Sequence, residues 1–221
     1  MIKYTFKIED SDPVEFDVDP TQQPHHSAAN SPPAAWTRLE HSQCRVCPFN
    51  SQDIQYCPAA VNIERAAHKF AKVVSYKNVE VKVQTPDRTY EKKCDAQSGL
   101  QSLIGLLMAS STCPITAQFK GLAKFHLPFA SPEETLFRTV GAHLVKQYFR
   151  KRRGQSVDLE LAGLDKLYKD LEALNESFMK RLHAASERDC NLNAVYALLA
   201  LGHSVRFSLE DQLHELEEQF G

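Results

Sequence analysis

Alternation of apolar and polar residues predicts two β-hairpins in the first half of the chain. Residues 2–8 and 14–18 alternate with the two-residue period of half-buried strands and are joined by turn-forming residues. Residues 79–84 and 88–92 repeat this pattern around a turn at Pro86-Asp87. Because an isolated hairpin is only marginally stable in water, we expect the two to join in one four-stranded antiparallel sheet.

Apolar residues that recur every three or four positions predict helices in the rest of the chain. Their expected ranges are 58–74, 96–110, 131–154, 157–186, 192–204 and 208–220. The second of these has little polar face, which is typical of a central helix. The third should begin with a capping box, in which Ser131 and Glu134 cap each other's backbone N–H around Pro132. In this third helix, at 131–154, we expect the buried stripe to consist of Phe137, Val140, Leu144 and Tyr148.

These elements indicate an α+β fold with two regions. Residues 1–150 should form a small antiparallel sheet with packed helices, and residues 155–221 a helical region that packs on it. The leucine-rich helix at 157–186 should bury its apolar stripe within the chain or against a second copy of the chain.

Composition excludes several classes of protein. The 221 residues are 43% hydrophobic and 24% charged, which is ordinary for a folded globular chain. A net charge of −2 gives no sign of a nucleic-acid-binding protein. The longest apolar run, at 103–109, is too short to span a membrane, and no signal-peptide core follows Met1. We therefore expect a cytoplasmic protein whose six cysteines are reduced.

Four of the cysteines have the spacing of a metal site. Cys44 and Cys47 form a C-x-x-C pair, which lets two thiolates in a tight turn reach one cation. Cys57 follows closely enough to loop back as a third ligand, and Cys113 can complete a tetrahedral set from a distant segment. Cys94 and Cys190 then remain outside the set.

The positions of these cysteines support the same interpretation. Cys47, Cys57 and Cys113 each precede a proline, which keeps the preceding residue out of the helical conformation. Cys57 should therefore cap the helix at 58–74, where the positive end of the helix dipole is expected to lower the pKa of its thiol. Cys113 should lie just beyond the end of the helix at 96–110. All the candidates thus fall at ends of elements, where a ligand displaces no core side chain.

Three other interpretations of the cysteines are open. They could be small apolar core residues, a redox dithiol at Cys44 and Cys47, or a disulfide pair. A core role does not explain a C-x-x-C pair with two further Cys-Pro pairs, no thioredoxin-like strand precedes Cys44, and the cytosol disfavours disulfides. A bound metal is therefore favoured.

Zinc is the preferred metal, with a [4Fe–4S] cluster as the alternative. Four thiolates suit either centre. A zinc ribbon usually has two C-x-x-C knuckles and this chain has one, while ligands followed by proline are common at iron–sulfur clusters. Structural zinc is the more frequent choice for such a set.

Other polar residues offer weaker signals. His41 and His68 could each replace a cysteine as ligand, although a role beside the site is more usual for such histidines. His126 lies in an apolar loop, where it could fix the loop by a hydrogen bond or act as an acid or base. The cluster Arg150, Lys151, Arg152 and Arg153 ends a predicted helix and should offset its dipole.

Several of these motifs resemble those of a bacterial family catalogued as a domain of unknown function. The resemblance rests on His41-Ser42-Gln43-Cys44, Cys47-Pro48, Cys57-Pro58, Ser75-Tyr76, Gly99-Leu100-Gln101-Ser102-Leu103, Cys113-Pro114 and the stretch Phe125-His126-Leu127-Pro128-Phe129-Ala130-Ser131. It covers about residues 1–150. The resemblance implies no activity and supports only the cysteine set.

The sequence therefore predicts a metal-binding protein with a non-enzymatic binding or regulatory role. An iron–sulfur protein with a redox or sensing role is the alternative, and an enzyme using Cys44 or Cys113 with His126 is a third hypothesis. The C-terminal helices are expected to contact a protein partner or a second copy of the chain.

Overall fold

The computed structural model describes residues 1–9, 11–21, 32–207, 213–214 and 217. The helix predicted to begin at Ser208 falls largely outside the described residues. Histidines 25 and 26 also lie outside them.

The two predicted hairpins form one antiparallel sheet, as the sequence indicates. Its strands are β1 (Ile2–Ile8), β2 (Val14–Val18), β3 (Asn78–Gln84) and β4 (Thr89–Asp95). Their order is β2-β1-β3-β4, so that β1 and β3 pair at the centre and join the hairpins. In this register Tyr4 lies opposite Val83 and Phe6 opposite Val81. All four of these side chains are buried on one face of the sheet.

Two helices cover that face. Helix α1 (Pro58–Phe70) packs Phe70 edge-on against Phe6, with ring centroids 5.0 Å apart. Helix α2 (Ala96–Ala109) follows β4 directly, and Asp95 caps it by accepting a hydrogen bond from the backbone N–H of Ser98 at 2.8 Å. Seven of the last ten residues of α2 are fully or almost fully buried, which confirms that it is a central helix.

Four further helices follow, and their buried residues belong to this core and to a second apolar cluster. They are α3 (Lys120–Lys124), α4 (Pro132–Arg152), α5 (Ala162–Ala185) and α6 (Cys190–Phe207). Helix α6 packs against α2. Leu174, Phe178 and Leu182 of α5 belong to the same buried cluster as the apolar face of the sheet. The predicted α+β architecture with a helical C-terminal region is therefore confirmed.

Helix α5 begins five residues later than the sequence pattern indicates. Leu161 just before it has a left-handed backbone, with φ of 58°. The Asp158 carboxylate accepts hydrogen bonds from the N–H groups of Ala162 at 3.1 Å and Gly163 at 2.7 Å, so it caps the helix from outside. A carboxylate that lies within the range predicted for the helix thus fixes where the helix starts.

The predicted core stripe of α4 is wrong at three of its four positions. Val140 is buried, but Phe137, Leu144 and Tyr148 are 50%, 41% and 57% exposed. The inward face carries Gln147 instead, whose amide bonds to His143 and accepts from the N–H of Asp158. Because these polar groups are satisfied by one another, the buried face of α4 has no continuous apolar stripe for a pattern to detect.

No helix within the described residues is both long and apolar enough to cross a bilayer.

Candidate metal centre

The four cysteines singled out by spacing line one small cavity. Cys44, Cys47, Cys57 and Cys113 border it together with Arg181 of α5. The cavity has a volume of about 10 Å³, close to the space that a single water-sized sphere requires. Segments far apart in sequence therefore meet at a space of the size of one ion.

A tight turn brings Cys44 and Cys47 to this cavity. The backbone N–H of Cys47 donates to the carbonyl of Cys44 at 3.0 Å, which closes the turn between them. The Gln43 side chain donates to the carbonyl of Phe49 at 2.8 Å and ties the turn to the following segment. Both cysteines are half-buried. The C-x-x-C pair is thus held on a turn, as its spacing predicts.

Cys57 occupies the cap of α1, as predicted from the following proline. Its backbone is extended, with φ of −70° and ψ of 117°, and Pro58 is the first helical residue. The N–H of Cys57 donates to the carbonyl of Thr37 at 2.8 Å. The N–H groups of Ala59 and Ala60 at the helix end favour the anionic form of the thiol, although the thiol accepts no capping hydrogen bond from them.

The expected lowering of the pKa of Cys57 is, however, wrong. Burial of its thiol outweighs the influence of these N–H groups and of the charge of Arg181, and the pKa of Cys57 is raised. The sequence shows that a helix end is present but not how deeply the sulfur is buried.

Cys113 reaches the cavity from the segment after α2, as its spacing indicates. It is 7% exposed, and its N–H donates to the hydroxyl of Ser111 at 3.2 Å. That hydroxyl also contacts Thr116 at 3.1 Å and donates to the carbonyl of Met108 at 2.7 Å. These buried hydroxyls supply hydrogen bonds to backbone groups just beyond the end of α2, and they fix the position of Cys113.

Arg181 is a buried cation at the same cavity, and the sequence analysis did not identify it. It is 2% exposed. Its guanidinium donates to the backbone carbonyls of Trp36 at 2.9 Å, Arg38 at 2.6 Å and Leu39 at 2.8 Å. Within the described chain no acidic side chain forms an ion pair with it. The negative groups that could balance its charge are the thiols of Cys57, Cys44 and Cys47.

A signal for Arg181 does exist in the sequence. The residue lies on the apolar stripe of α5, three positions after Phe178 and one before Leu182. A charged residue on a buried stripe requires a partner, because an unpaired charge is costly to bury. Periodicity alone does not reveal that the partners lie more than 120 residues earlier.

The thiols influence one another's protonation. Burial, together with the neighbouring Cys47, Cys113 and Cys57, raises the pKa of Cys44 to about 12. Thiols in such surroundings lose their protons only when a cation offsets the negative charge that results.

The four cysteines border the cavity, but their sulfurs are not close enough to one another to form a coordination sphere. Within the part of the chain that the structure describes, no three His, Cys, Asp or Glu side chains are grouped closely enough to hold a metal ion. Tetrahedral zinc would bring four sulfurs to about 2.3 Å from its centre. A cysteine sulfur turns about a single side-chain torsion with three staggered positions, so ligation from this arrangement requires rotation of the side chains.

The other candidate residues lie away from the cavity. Cys94 is on β4, and Cys190 is buried at the start of α6. Among the described residues that line the cavity there is no histidine, and His68 is exposed on α1. His126 lies against Tyr4, whose hydroxyl is 2.5 Å from its Nε2, and borders a different cavity.

The basic cluster ends α4, as predicted. Arg150, Lys151 and Arg152 form its last turn, and Arg153 follows as its cap. Arg150 donates to the carbonyl of Ser156 at 2.9 Å. These cations face the negative end of the helix dipole.

Comparison with known proteins gives a family but no activity. No curated protein and no solved structure matches the chain. The model of one family matches residues 2–221, so the match extends through the C-terminal helices as well as the region that carries the motifs. The chain therefore belongs to the family described as domain of unknown function DUF6901.

Proposed function

We propose that this protein binds one metal ion, preferentially Zn²⁺, through Cys44, Cys47, Cys57 and Cys113. The observation that carries the proposal is that four cysteines border one small cavity together with a buried arginine, which forms no ion pair with an acidic residue of the described chain. The ion serves a structural role in a non-enzymatic binding or regulatory protein.

The charge at the cavity supports this assignment. Four thiolates around Zn²⁺ carry a net charge of −2, and such a charge is costly to bury without a nearby cation. Arg181 supplies a positive charge whose hydrogen bonds to three carbonyls hold it beside the sulfurs. The free N–H groups at the start of α1 add partial positive charge next to Cys57. In the absence of the thiolates, Arg181 would be a buried charge without a counter-charge.

The size of the cavity favours a single ion over a cluster. About 10 Å³ accommodates one ion among the sulfurs. A [4Fe–4S] centre adds four sulfide ions and three more metal ions to the same space, so it requires the cysteine segments to separate. Zinc adds one ion, with four sulfurs at about 2.3 Å from it.

Elemental analysis of the full-length protein, purified without oxygen, tests the proposal. We expect one zinc per chain and no absorption in the visible spectrum. Replacement of Zn²⁺ by Co²⁺ should give the strong visible bands of tetrahedral thiolate coordination. Absence of zinc and iron from the purified chain, together with no Co²⁺ spectrum, would contradict metal binding altogether.

Single substitutions identify the ligands. Cys47→Ser and Cys113→Ser should each weaken Zn²⁺ binding by at least 100-fold in a competition assay with a chromophoric chelator. The matched control is Cys94→Ser, because Cys94 is also half-buried but borders neither the cavity nor its turn. Equal affinity of the Cys113→Ser variant and the control would exclude Cys113 as a ligand.

Two other outcomes distinguish the remaining hypotheses. A brown protein that contains iron and sulfide would show an iron–sulfur centre, with a redox or sensing function, in place of the zinc site. Rapid labelling of Cys44 or Cys113 by iodoacetamide in the metal-loaded protein would favour a thiol enzyme. That third hypothesis gains nothing from His126, whose Nε2 contacts Tyr4 and which lines a cavity that none of the four cysteines borders.

The cellular setting is part of the proposal. We place the protein in the cytoplasm, where free cysteines persist. The C-terminal helices would contact a protein partner or a second copy, and the exposed apolar residues Tyr196 and Phe207 of α6 support such a contact. Sedimentation analysis of the purified chain distinguishes self-association from a requirement for another protein.

A further inference from the structure

Helix α4 presents an apolar stripe at the surface of the chain. Leu144 and Tyr148 are exposed, and beside them Val145 and Phe149 are 56% and 48% exposed. The buried residues lie on another face of the helix, and two of them, Leu136 and Val140, pack in a cluster with α5 and α6. Contiguous apolar surface of this kind is typical of a site of protein interaction.

The stripe has the spacing of a coiled-coil seam. Its positions follow one another at steps of 3, 4, 3, 4 and 3 residues, and they are Glu134, Phe137, Gly141, Leu144, Tyr148 and Lys151. All of these except Gly141 are exposed. Such steps keep side chains in line along a helix, so that a second helix can meet them over the whole length of the line. We call these six residues the α4 seam.

Opposite charges lie at the two ends of the seam. The first turn of α4 contains Glu133 and Glu134, and the last turn contains Arg150, Lys151 and Arg152. The Oε2 atom of Glu134 serves the capping box, and a carboxylate has further positions that accept hydrogen bonds. A helix with an acidic start and a basic end is complementary to a second copy of itself that runs in the opposite direction.

One antiparallel register pairs all six seam positions at once. The pairs between two copies are then Glu134 with Lys151, Phe137 with Tyr148, and Gly141 with Leu144. Each pair occurs twice, because a twofold axis between residues 142 and 143 relates the two copies. Acid thus meets base, ring meets ring, and the glycine leaves space for the leucine.

A parallel arrangement does not share these advantages. It would place Glu134 opposite Glu134 and Lys151 opposite Lys151, and like charges repel. It would also align the two helix dipoles in the same direction, whereas antiparallel helices bring opposite ends of their dipoles together.

We propose that two copies of this protein form a twofold-symmetric dimer in which the α4 seams pair antiparallel. Helix α4 has 21 residues and is about 31 Å long. A single pair of helices of this length gives an interface near the lower end of the range for specific complexes, about 1,200 Å². The dimer is therefore reversible, with a dissociation constant on the order of micromolar. This inference does not depend on the metal centre, and it places the contact on α4 and not on α6.

Sedimentation velocity of the full chain, between about 1 and 200 µM, tests the association. We expect monomer at the lowest concentration and dimer at the highest. Leu144→Glu should weaken dimerisation at least about 100-fold, because it buries an unpaired charge near the twofold axis. The matched control is Tyr196→Glu, which alters an exposed apolar residue of α6 and should leave the dimer unchanged. Monomer at every concentration, or an effect of Tyr196→Glu as large as that of Leu144→Glu, would overturn the proposal.

Reversal of one charge tests the ends of the seam. Lys151→Glu should weaken dimerisation about tenfold, because it replaces two attractive pairs by two repulsive ones. Lys146→Glu makes the same change of charge at an exposed position of α4 outside the seam, and it should have little effect. Equal losses in the two variants would mean that net charge, and not the seam, controls the association.

Cross-linking tests the direction of the helices. A carbodiimide joins a carboxylate directly to an amine that touches it. Within one α4, Glu134 and Lys151 are 17 residues apart, or about 25 Å, so a bond between them forms only between two chains. We expect mass spectrometry to find this linked pair of peptides in the wild-type dimer and not in Leu144→Glu. A dimer that lacks it would reject the antiparallel register.

Discussion

Arg181 connects the helical region to the cysteine segment through a single buried side chain. Its three carbonyl partners belong to residues 36–39, immediately before the C-x-x-C turn. Its charge faces the thiols and no carboxylate among the described residues, so its favourable interactions depend on the ionisation of the thiols. Arginine suits this position because its planar fork of donors can satisfy several carbonyls at once.

Removal of this cation should weaken the metal centre. We expect Arg181→Met to lower Zn²⁺ affinity about 10- to 100-fold, as is typical when a group that supports metal ligands is lost. The free energy of unfolding should fall by about 3 kcal/mol, because carbonyls that lose a buried donor become unsatisfied. Chelator competition and urea unfolding measure the two effects. Lys180→Met, a charge loss on the exposed side of the same helix turn, should change neither quantity.

His126 should give the stability of the protein a dependence on acidic pH. Burial of the ring, with a smaller contribution from the charge of Arg138, lowers the pKa of His126 to about 3 from its ordinary 6.5. Between these pH values the unfolded chain binds a proton that the folded chain does not, so stability falls as the pH decreases through this window. The slope from His126 approaches about 1.4 kcal/mol per pH unit at most.

Urea unfolding at several pH values between 6.5 and 4 measures that slope. His126→Gln should reduce the loss of stability across this window, since glutamine does not titrate. His68→Gln serves as the control, because it removes an exposed histidine of α1. Equal dependence of stability on pH in wild type and His126→Gln would show that the folded protein protonates His126 as readily as the unfolded chain does.

At the scale of elements, close packing of α2 on the sheet depends on one glycine. A Cβ added at Gly99 would lie 2.8 Å from Cγ2 of Val81 and 3.1 Å from Cε1 of Phe6. Both neighbours are fully buried side chains, so neither can move aside without repacking the core. Gly99 therefore sets the distance between helix and sheet.

A pair of glycine substitutions separates this packing effect from helix propensity. Gly99→Ala should lower the free energy of unfolding by about 1–3 kcal/mol, because the gain in propensity does not offset overpacking. At Gly141, within α4, an added Cβ meets nothing within 4 Å. Gly141→Ala should therefore raise the free energy of unfolding by up to about 1 kcal/mol. Stabilisation by both substitutions, measured by thermal unfolding, would show that the contact at Gly99 relaxes without cost.

The elements that the sequence predicts well are those whose signal is local. The strands follow from two-residue alternation, and the capping box at Ser131 has both of its hydrogen bonds, at 3.1 and 2.8 Å. The buried face of α4 fails because its interior contacts are hydrogen bonds between Gln147, His143 and the segment before α5. Buried polar residues that hydrogen-bond to one another give the same sequence pattern as polar residues that face water.

The candidate site divides in the same way. Spacing and prolines identify the four cysteines because the constraints act within a few residues of each. Arg181 depends on contacts with segments more than 120 residues earlier, and it appears in the sequence only as a polar residue next to a buried apolar one. Its role follows from its burial and its contacts, which only the folded chain reveals.

At the scale of the whole molecule, the sheet and the C-terminal helices share one core. Phe178 and Leu182 of α5 and Ala194 of α6 belong to the same buried cluster as Phe6 and Val81 of the sheet. The division into residues 1–150 and 155–221 stays a prediction. A shared core favours unfolding in one step, because neither part buries its apolar surface without the other.

Unfolding followed at two places in the molecule tests this coupling and the proposed zinc site together. The single tryptophan, Trp36, lies beside Arg181, and its fluorescence reports on the cysteine segment. Far-ultraviolet circular dichroism reports on the helices. We expect the two signals to change at the same urea concentration. Added Zn²⁺ should raise both midpoints together. The free energy of unfolding should increase by about 4 kcal/mol when free zinc is 1,000 times its dissociation constant. The contrary result would be a fluorescence change at a lower urea concentration than the circular dichroism change, with only the fluorescence midpoint responding to Zn²⁺. It would mean that the cysteine segment unfolds as a separate unit and that Arg181 does not connect it energetically to the helices.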